Sequence, residues 1–420
     1  MTGRMMLQEK QLLAMAQQVA VLEANGRPSE IVTPEIAADL IARITFSVIT
    51  EPGDKFAGWL VRRFEPVDVV EALQQGFNFT SLLSRQDRGE LEQRFGDVER
   101  LLKDATERWK PRFTLTAVES AIKTASLLGA KVLAPESAYW PAGLGLLGEG
   151  SPHCLWLRGN PRVLAVADRS LSIVGSRLAS NYGERVTTEL VSAAVAENLS
   201  VISGGAYGID AIAHRATLAL DGFTVAVMAG GIDRLYPAGN FELLNEIAKS
   251  NLLVSEQAPG ASPTKWRFLQ RNRLIAALGC ATIVVEAGIR SGALNTVNHA
   301  TAIGRPVGVV PGRIDSPQSA GCNELLRTRS TMTEEVTLIA SPAQAIELAL
   351  GIDGIAPEAE ELRLTEFEKR VLDALTTRGL DETRVATKAG LTLAELQIGL
   401  GGLELKGLIT RVTKGWVKVD

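Results

Sequence analysis

Three glycine-bearing turns in this 420-residue chain combine side chains and backbone freedom that suit phosphate. The first, in "IVGSR" at 173–177, sets Gly175 before the hydroxyl of Ser176 and the guanidinium of Arg177. A guanidinium fork matches phosphate oxygens two at a time. The second, "SGGAYG" at 203–208, presents Ser203, Gly204, Gly205, Tyr207 and Gly208 after an apolar tract. Its glycines permit close backbone approach ahead of a helix N-terminus, and the Tyr207 ring can stack on a base. The third, within "EAGIRSGALNT" at 286–296, brings Ser291 and Gly292 to another strand-to-helix turn. Any one of these alone is ordinary turn chemistry.

Charge adds a second argument. Between Ala261 and Ser330 stand Lys265, Arg267, Arg271, Arg273, Arg290, Arg305, Arg313, Arg327 and Arg329, opposed only by Glu286, Asp315 and Glu324. Six positive charges in excess, within a chain of net charge −4, make a local field that collects polyanions.

Other chemistries are poorly served. A dinucleotide site needs GxGxxG in the first strand-to-helix turn and an acid ending the second strand. Here the first turn has Gly175 followed by Ser176, and the second strand ends in Ser203-Gly204-Gly205. No Gly-Lys pair exists, so the phosphate loop of an NTPase is missing, and no cofactor is expected. Cys154, Cys280 and Cys322 lie far apart, as do His153, His214 and His299, which supports neither a disulfide framework nor a metal site. His153 and Cys154 are sequence neighbours, whose side chains usually point apart. Asp210 begins a helix-like tract and is expected to cap it, with His214 packed on the same face. No catalytic residue is assigned.

The elements that must position these turns are legible as apolar runs. "LSIVG" (171–175), "SVIS" (200–203), "TVAVMAG" (224–230), "NLLVSE" (251–256), "TIVVEA" (282–287) and "PVGVVPG" (306–312) alternate with helical stretches. Continuous Val/Ile/Leu runs mark strands buried on both faces, hence an open, doubly wound α/β domain with a mostly parallel sheet. Ligands of such sheets bind beyond the carboxyl ends of the strands. Residues before about 110 are helical in pattern. After "GIDGIAPEAEE", a linker at 351–361, residues 362–420 read as helix, helix, turn at Gly390–Thr392, helix and two short strands, the order of a winged helix. Its candidate recognition helix, "LAELQIGLGGLELK", suits either DNA or a protein partner. With 46% hydrophobic and 22% charged residues, and no apolar run near the roughly 18–20 residues of a membrane span, a cytoplasmic protein is expected. Glu9 and Lys10 interrupt what would be the apolar core of a signal peptide.

Taken together, these motifs resemble the bacterial DNA-processing protein A (DprA/Smf) family. The resemblance runs through "IVGSR", "SGGAYGIDAIAH" (203–214), "GGIDRLYPAGN" (230–240), "FLQRNRLIAALG" (268–279), "VVEAGIRSGAL" (284–294) and "VVPGRIDSPQSAGCNELL" (309–326). It covers roughly residues 135–330, and "PESAYWPAGLGLLGEGSPHCLWLRGN" is similar to the family's lead-in. It implies a non-enzymatic, dimeric protein that binds single-stranded DNA in natural transformation and recombination, protects incoming DNA and loads the RecA recombinase. It implies an extended Rossmann-like domain over 111–350, a SAM-like or helix-hairpin-helix-like domain over 1–110, and a winged helix over 362–420. Gly175, Ser176 and Arg177 fall on the family's phosphate-gripping turn, and Gly204, Gly205, Tyr207 and Gly208 on its glycine loop. Arg271, Asn272 and Arg273 fall on its "RNR" helix, with Lys265 and Arg267 just before it as DNA contacts by charge. Many members carry arginine where this chain has Tyr207.

Two alternatives stand beside this reading. One is a nucleotide-processing enzyme on a related fold, of nucleoside-monophosphate glycosidase type, with Glu286 as its acid; that family's PGGxGT run is absent. The other is a nucleotide-sensing regulator acting through the winged helix.

Overall fold

The structure, a computed structural model, describes residues 9–20, 32–166, 169–330, 336–351, 365–375, 379–406, 408–412 and 415–418. The 351–361 linker lies outside them except for its first residue. The chain divides into two compact units, Met1–Asp353 and Gly354–Asp420.

The first unit opens with helices α1 (Glu9–Val19), α2 (Pro34–Ile49), α3 (Lys55–Arg63), α4 (Pro66–Gln74), α5 (Arg85–Phe95), α6 (Val98–Trp109) and α7 (Leu115–Leu127). Local chemistry sets their starts. The Thr33 hydroxyl accepts the Ile36 N–H while Pro34 fills the first helical position of α2. The Asp54 carboxylate accepts the Ala57 N–H and starts α3. Between α2 and α3 the chain turns at Gly53, whose φ of 70° few other residues adopt. Phe56 stacks on Trp109 at 5.6 Å in a core that continues into Val132, Trp156, Ile232 and Ala258. Each such large side chain, fully buried, contributes about 1.5–3 kcal/mol, so the helices are fastened to the sheet rather than appended to it.

The sheet has nine strands: β1 (Lys131–Leu133), β2 (Leu155–Gly159), β3 (Ser170–Val174), β4 (Ser200–Ser203), β5 (Thr224–Val227), β6 (Leu252–Ser255), β7 (Ala281–Val284), β8 (Val307–Val309) and β9 (Thr337–Leu338). Their order is β1-β2-β6-β5-β4-β3-β7-β8-β9. The β1–β2 and β2–β6 pairings are antiparallel and the others parallel. The six strands read from the apolar runs, β3 to β8, form its fully buried centre. β1, β2 and β9 extend it at the edges, with β2 inside the family-like lead-in.

Helices α8 (Asn181–Ala196), α9 (Ile209–Ala219), α10 (Phe241–Ser250), α11 (Lys265–Leu278), α12 (Ala293–Ala302), α13 (Ala320–Leu325) and α14 (Pro342–Leu350) complete the unit. Ile173 packs with α8, α9 and α14, whereas its neighbour Val174 packs with α11 and α12. Alternation along one strand therefore feeds two opposite cores, as a doubly wound sheet requires. The chain winds from β3 through β4 and β5 to β6 on one side, then returns to place β7 and β8 on the other. The crevice beyond β3 and β7 is thus the topological switch point.

The second unit holds α15 (Glu366–Ala374), α16 (Glu382–Ala389) and α17 (Leu393–Leu405), then the antiparallel pair β10 (Ile409–Val412) and β11 (Gly415–Lys418). Val371, Val385, Leu396, Leu400, Leu403 and Trp416 form its core. Gly390, at φ 63°, ends α16. Among the described residues no helix is long and apolar enough to cross a membrane.

Candidate nucleic-acid interface

A pocket of about 520 Å³ opens at the switch point. Gly175, Ser176 and Arg177 line it from the β3 turn, Arg271 and Asn272 from α11, and Ser291 and Gly292 from the β7 turn. Seven of the fifteen sequence-assigned residues therefore converge there. Ser203, Gly204, Gly205, Tyr207, Gly208, Lys265, Arg267 and Arg273 are not among its lining residues, although Ala206 of the glycine loop is.

In the β3 turn a Cβ on Gly175 would lie 2.6 Å from Ile209 Cγ1 and 3.0 Å from the Glu286 carbonyl, so only glycine fits. The Ser176 hydroxyl accepts the Leu178 N–H at 3.1 Å and folds the turn on itself. Arg177 is exposed, with its guanidinium 5.5 Å from the centre of the Phe268 ring and no ion pair among the described residues. A cation held over a ring with its fork facing water is ready for a phosphate.

The glycine loop differs from the expectation of backbone offered to a ligand. A Cβ on Gly204 would meet the Arg271 guanidinium at 2.5 Å, one on Gly205 would meet Leu244 at 2.8 Å, and one on Gly208 the Ser176 carbonyl at 2.1 Å. The protein's own atoms fill the room these glycines leave. The Ser203 hydroxyl donates to the Ile173 carbonyl. Asp210 does not cap α9, whose N-cap is Gly208; its buried carboxylate accepts the N–H groups of Gly204 and Ala206 at 3.1 and 3.4 Å. An internal carboxylate thus stands where an anion was expected. Burial pushes the Asp210 carboxyl up, against the opposing pull of Arg271. Tyr207 remains 46% exposed, and its hydroxyl accepts the Gly239 N–H at 3.1 Å.

Helix α11 is two-faced. Toward the pocket, Arg271 is buried and donates through Nη1 to the Gly204 carbonyl at 2.6 Å and to that of Val227. Burial pulls its pKa down to about 10, so it stays protonated at neutral pH. Asn272 donates to the Gly292 carbonyl and to Asn295 Oδ1, joining α11 to the β7 turn. Away from the pocket, Arg267 forms a two-point ion pair with Glu51 and a hydrogen bond to the Ser262 carbonyl. Arg273 pairs with Glu256 at 2.6 Å, both side chains buried. The Gly53 N–H also reaches Glu256, at 3.4 Å, and a Cβ on Gly53 would press on Arg273 Nε at 3.0 Å. The α2–α3 turn therefore grips the back of the helix whose front lines the pocket. Lys265 is exposed, with no ion pair among the described residues.

The basic field is accordingly smaller than the charge count suggests. Glu51 and Glu256, both outside the basic segment, neutralise Arg267 and Arg273, while Asp315 and Glu324 pair with Arg313 and Arg327. Arg290, in the charge count but not assigned to the site, lines the pocket and is exposed without an ion pair among the described residues. Its signal was its place between Gly288 and Ser291, a second turn of GSR-like composition. Phe268 was also missed; it sits three residues before Arg271 and lines the pocket on the same helical face. The N-terminus of α12 faces the pocket through Gly292 and Ala293 and adds a positive partial charge.

Glu286, His153, Cys154 and His214, the candidates weighed for catalysis, are all engaged or buried. Glu286 is buried, and both its oxygens accept from Ser180, through the N–H at 2.9 Å and through the hydroxyl. Burial pushes the Cys154 thiol up to about 12 and the neighbouring His153 imidazole down to about 3, so neither is activated. His214 is packed, with Nδ1 2.7 Å from the Thr224 hydroxyl. No group of three or more His, Cys, Asp or Glu among the described residues could hold a metal ion.

The sequence profile of the family described as DNA recombination-mediator protein A matches residues 131–344. A DNA processing protein DprA of Mycobacterium tuberculosis is 42% identical over 293 residues, covering 67% of this chain and 75% of that protein. DNA processing protein DprA of Bacillus subtilis is 36% identical over 176 residues, 42% of this chain and 59% of its own length. The crystal structure of DNA processing protein A from Streptococcus pneumoniae superposes with a TM-score of 0.55 at 26% identity, over 76% of this chain and 98% of that one.

Proposed function

Because this chain belongs to the DNA recombination-mediator protein A family, we propose that it binds single-stranded DNA in transformation and homologous recombination. In this reading it protects incoming strands and loads the RecA recombinase onto them, as a homodimer and without a chemical step of its own. The observation that carries it is the pocket at the switch point, where exposed Arg177 and Arg290 face an aromatic ring and a helix N-terminus.

Roles divide by exposure. Arg177, Arg290 and Lys265 are the phosphate contacts, being exposed and without ion pairs among the described residues. Arg271 and Asn272 shape the pocket through the carbonyls they hold. Arg267 and Arg273 position α11 rather than touch DNA, since carboxylates already hold them. Three released counterions on a single strand correspond to a log–log salt slope of roughly −2. We assign the second unit a winged-helix role in partner binding. The exposed face of α17, including Leu393, Ala394, Gln397 and Ile398, carries no cation among the described residues, which disfavours base reading.

The glycosidase reading lacks a free acid, because Glu286 is consumed by Ser180. The test is titration of labelled single- and double-stranded oligonucleotides across a salt series, with preference for the single strand expected. Release of a free base from nucleoside monophosphates would favour the enzyme instead.

A further inference from the structure

We propose that Tyr236, on the loop braced by Tyr207, is a ledge beside the pocket on which unpaired nucleobases stack; this rests on the single-stranded DNA reading above. Large aromatic side chains are normally buried, yet Tyr207 and Tyr236 are 46% and 47% exposed. Tyr207 and the loop that carries Tyr236 are held firmly all the same. The Tyr207 hydroxyl accepts the Gly239 N–H, and a Cβ on Gly239 would lie 2.7 Å from that oxygen. The Asn240 amide donates to the Gly205 and Ala206 carbonyls, both at 3.0 Å. At the loop's other end the Gly231 N–H reaches the Ala261 carbonyl at 2.9 Å, and Asp233 accepts the Gly260 N–H at 2.9 Å. The loop after β5 is thus fixed to the glycine loop and to the approach to α11.

The rings form a graded series leading out of the pocket. Phe268 lines the pocket with the Arg177 and Arg271 guanidinium carbons 5.5 and 5.6 Å from its centre. Tyr236 lies 5.5 Å from Phe268 at an interplanar angle of 59°. Phe268 is therefore already engaged by two cations and a ring, and Tyr236, beside it, is the ring that remains half exposed. Every base has a π-face, so an exposed ring beside a phosphate-holding arginine grips a strand without reading its sequence. A ring that is already ordered loses little freedom on binding.

The test compares a fluorescent oligothymidine with an oligonucleotide of equal length whose sugars carry no bases, titrated against the full chain at one salt concentration. The ledge predicts that the wild type prefers the base-bearing strand. It further predicts that Tyr236→Leu weakens oligothymidine binding roughly tenfold, leaves the abasic strand unaffected, and that Tyr236→Trp restores the preference. Phe223→Ala, which removes an equally exposed ring at the amino end of β5, should change neither. Equal wild-type affinity for both strands, or an equal loss for both in Tyr236→Leu, overturns the ledge while leaving the DNA site standing. Failure of the wild type to bind either strand overturns the DNA reading and the ledge with it.

Discussion

Arg267 of α11 and Glu51 of the α2–α3 turn meet in a two-point ion pair, Nε to Oε2 at 2.9 Å and Nη2 to Oε1 at 2.8 Å. They lie 216 residues apart in sequence. The pair ties the amino-terminal helices to the back of the helix that lines the pocket. Arg112 joins it at 2.8 Å from Glu51 Oε1. A cation that looks free for DNA in the sequence is thus a structural tie.

The tie has a pH signature. Burial pushes the Glu51 carboxyl up, but Arg267 and Arg112 outweigh this and hold it below its ordinary value of 4.5. A depressed folded-state pKa gives stability that is complete above the unfolded value and fades as pH falls through the folded one. Glu51→Gln should therefore lower the urea midpoint by a constant amount from pH 7 to pH 5. The difference from wild type should vanish progressively below about pH 4. A difference that persists undiminished at pH 2.5 would contradict the role given to the charge.

Arg273 and Glu256 form the buried counterpart of that tie. Removing either alone strands the other charge in the interior, so Arg273→Met should cost about 3–5 kcal/mol in chemical denaturation. Arg273→Glu should be worse, since it sets two buried carboxylates against each other. The double variant Arg273→Met/Glu256→Met should recover most of the loss, because two apolar chains replace a pair rather than half of one. Reduced DNA binding by Arg273→Glu then reports unfolding, which circular dichroism on the same sample would reveal.

Arg177 and Arg290 should behave in the opposite way. Both are exposed and neither has an ion pair among the described residues, so alanine at either position should shift the thermal midpoint by little. Each should weaken single-strand binding several-fold and reduce the log–log salt slope by about 0.7. A variant whose affinity falls with the salt slope intact would show that the lost side chain touched no phosphate.

Much of this arrangement was legible in the residues. β3 to β8 announce themselves because strands buried on both faces must be continuously apolar, and their order puts the GSR and IRSG turns side by side. β1 opens on half-buried Lys131 and both residues of β9 are exposed, so neither is a strand buried throughout that a continuous apolar run would announce. Along with β2 they exist through pairing with distant partners. The lining of the pocket was legible by residue type, but the availability of its charges was not. Whether an arginine faces water depends on acids remote in sequence, as Glu51 shows for Arg267. The glycine loop misled for a related reason. Missing side chains mark close approach, but at Gly204 and Gly208 the approaching atoms are the Arg271 guanidinium and the Ser176 carbonyl.

If the switch-point pocket holds the backbone of an unpaired DNA strand, as we propose, a single strand should bind in preference to a duplex and release counterions as it does so. That preference is tested most directly by fluorescence anisotropy of one labelled oligonucleotide, single-stranded and annealed to its complement, between about 50 and 300 mM salt. The single strand should bind more tightly at every salt concentration, with a linear log–log slope near −2 that becomes shallower in Arg177→Ala. Equal or tighter binding of the duplex, or single-strand binding indifferent to salt and to Arg177, would contradict it.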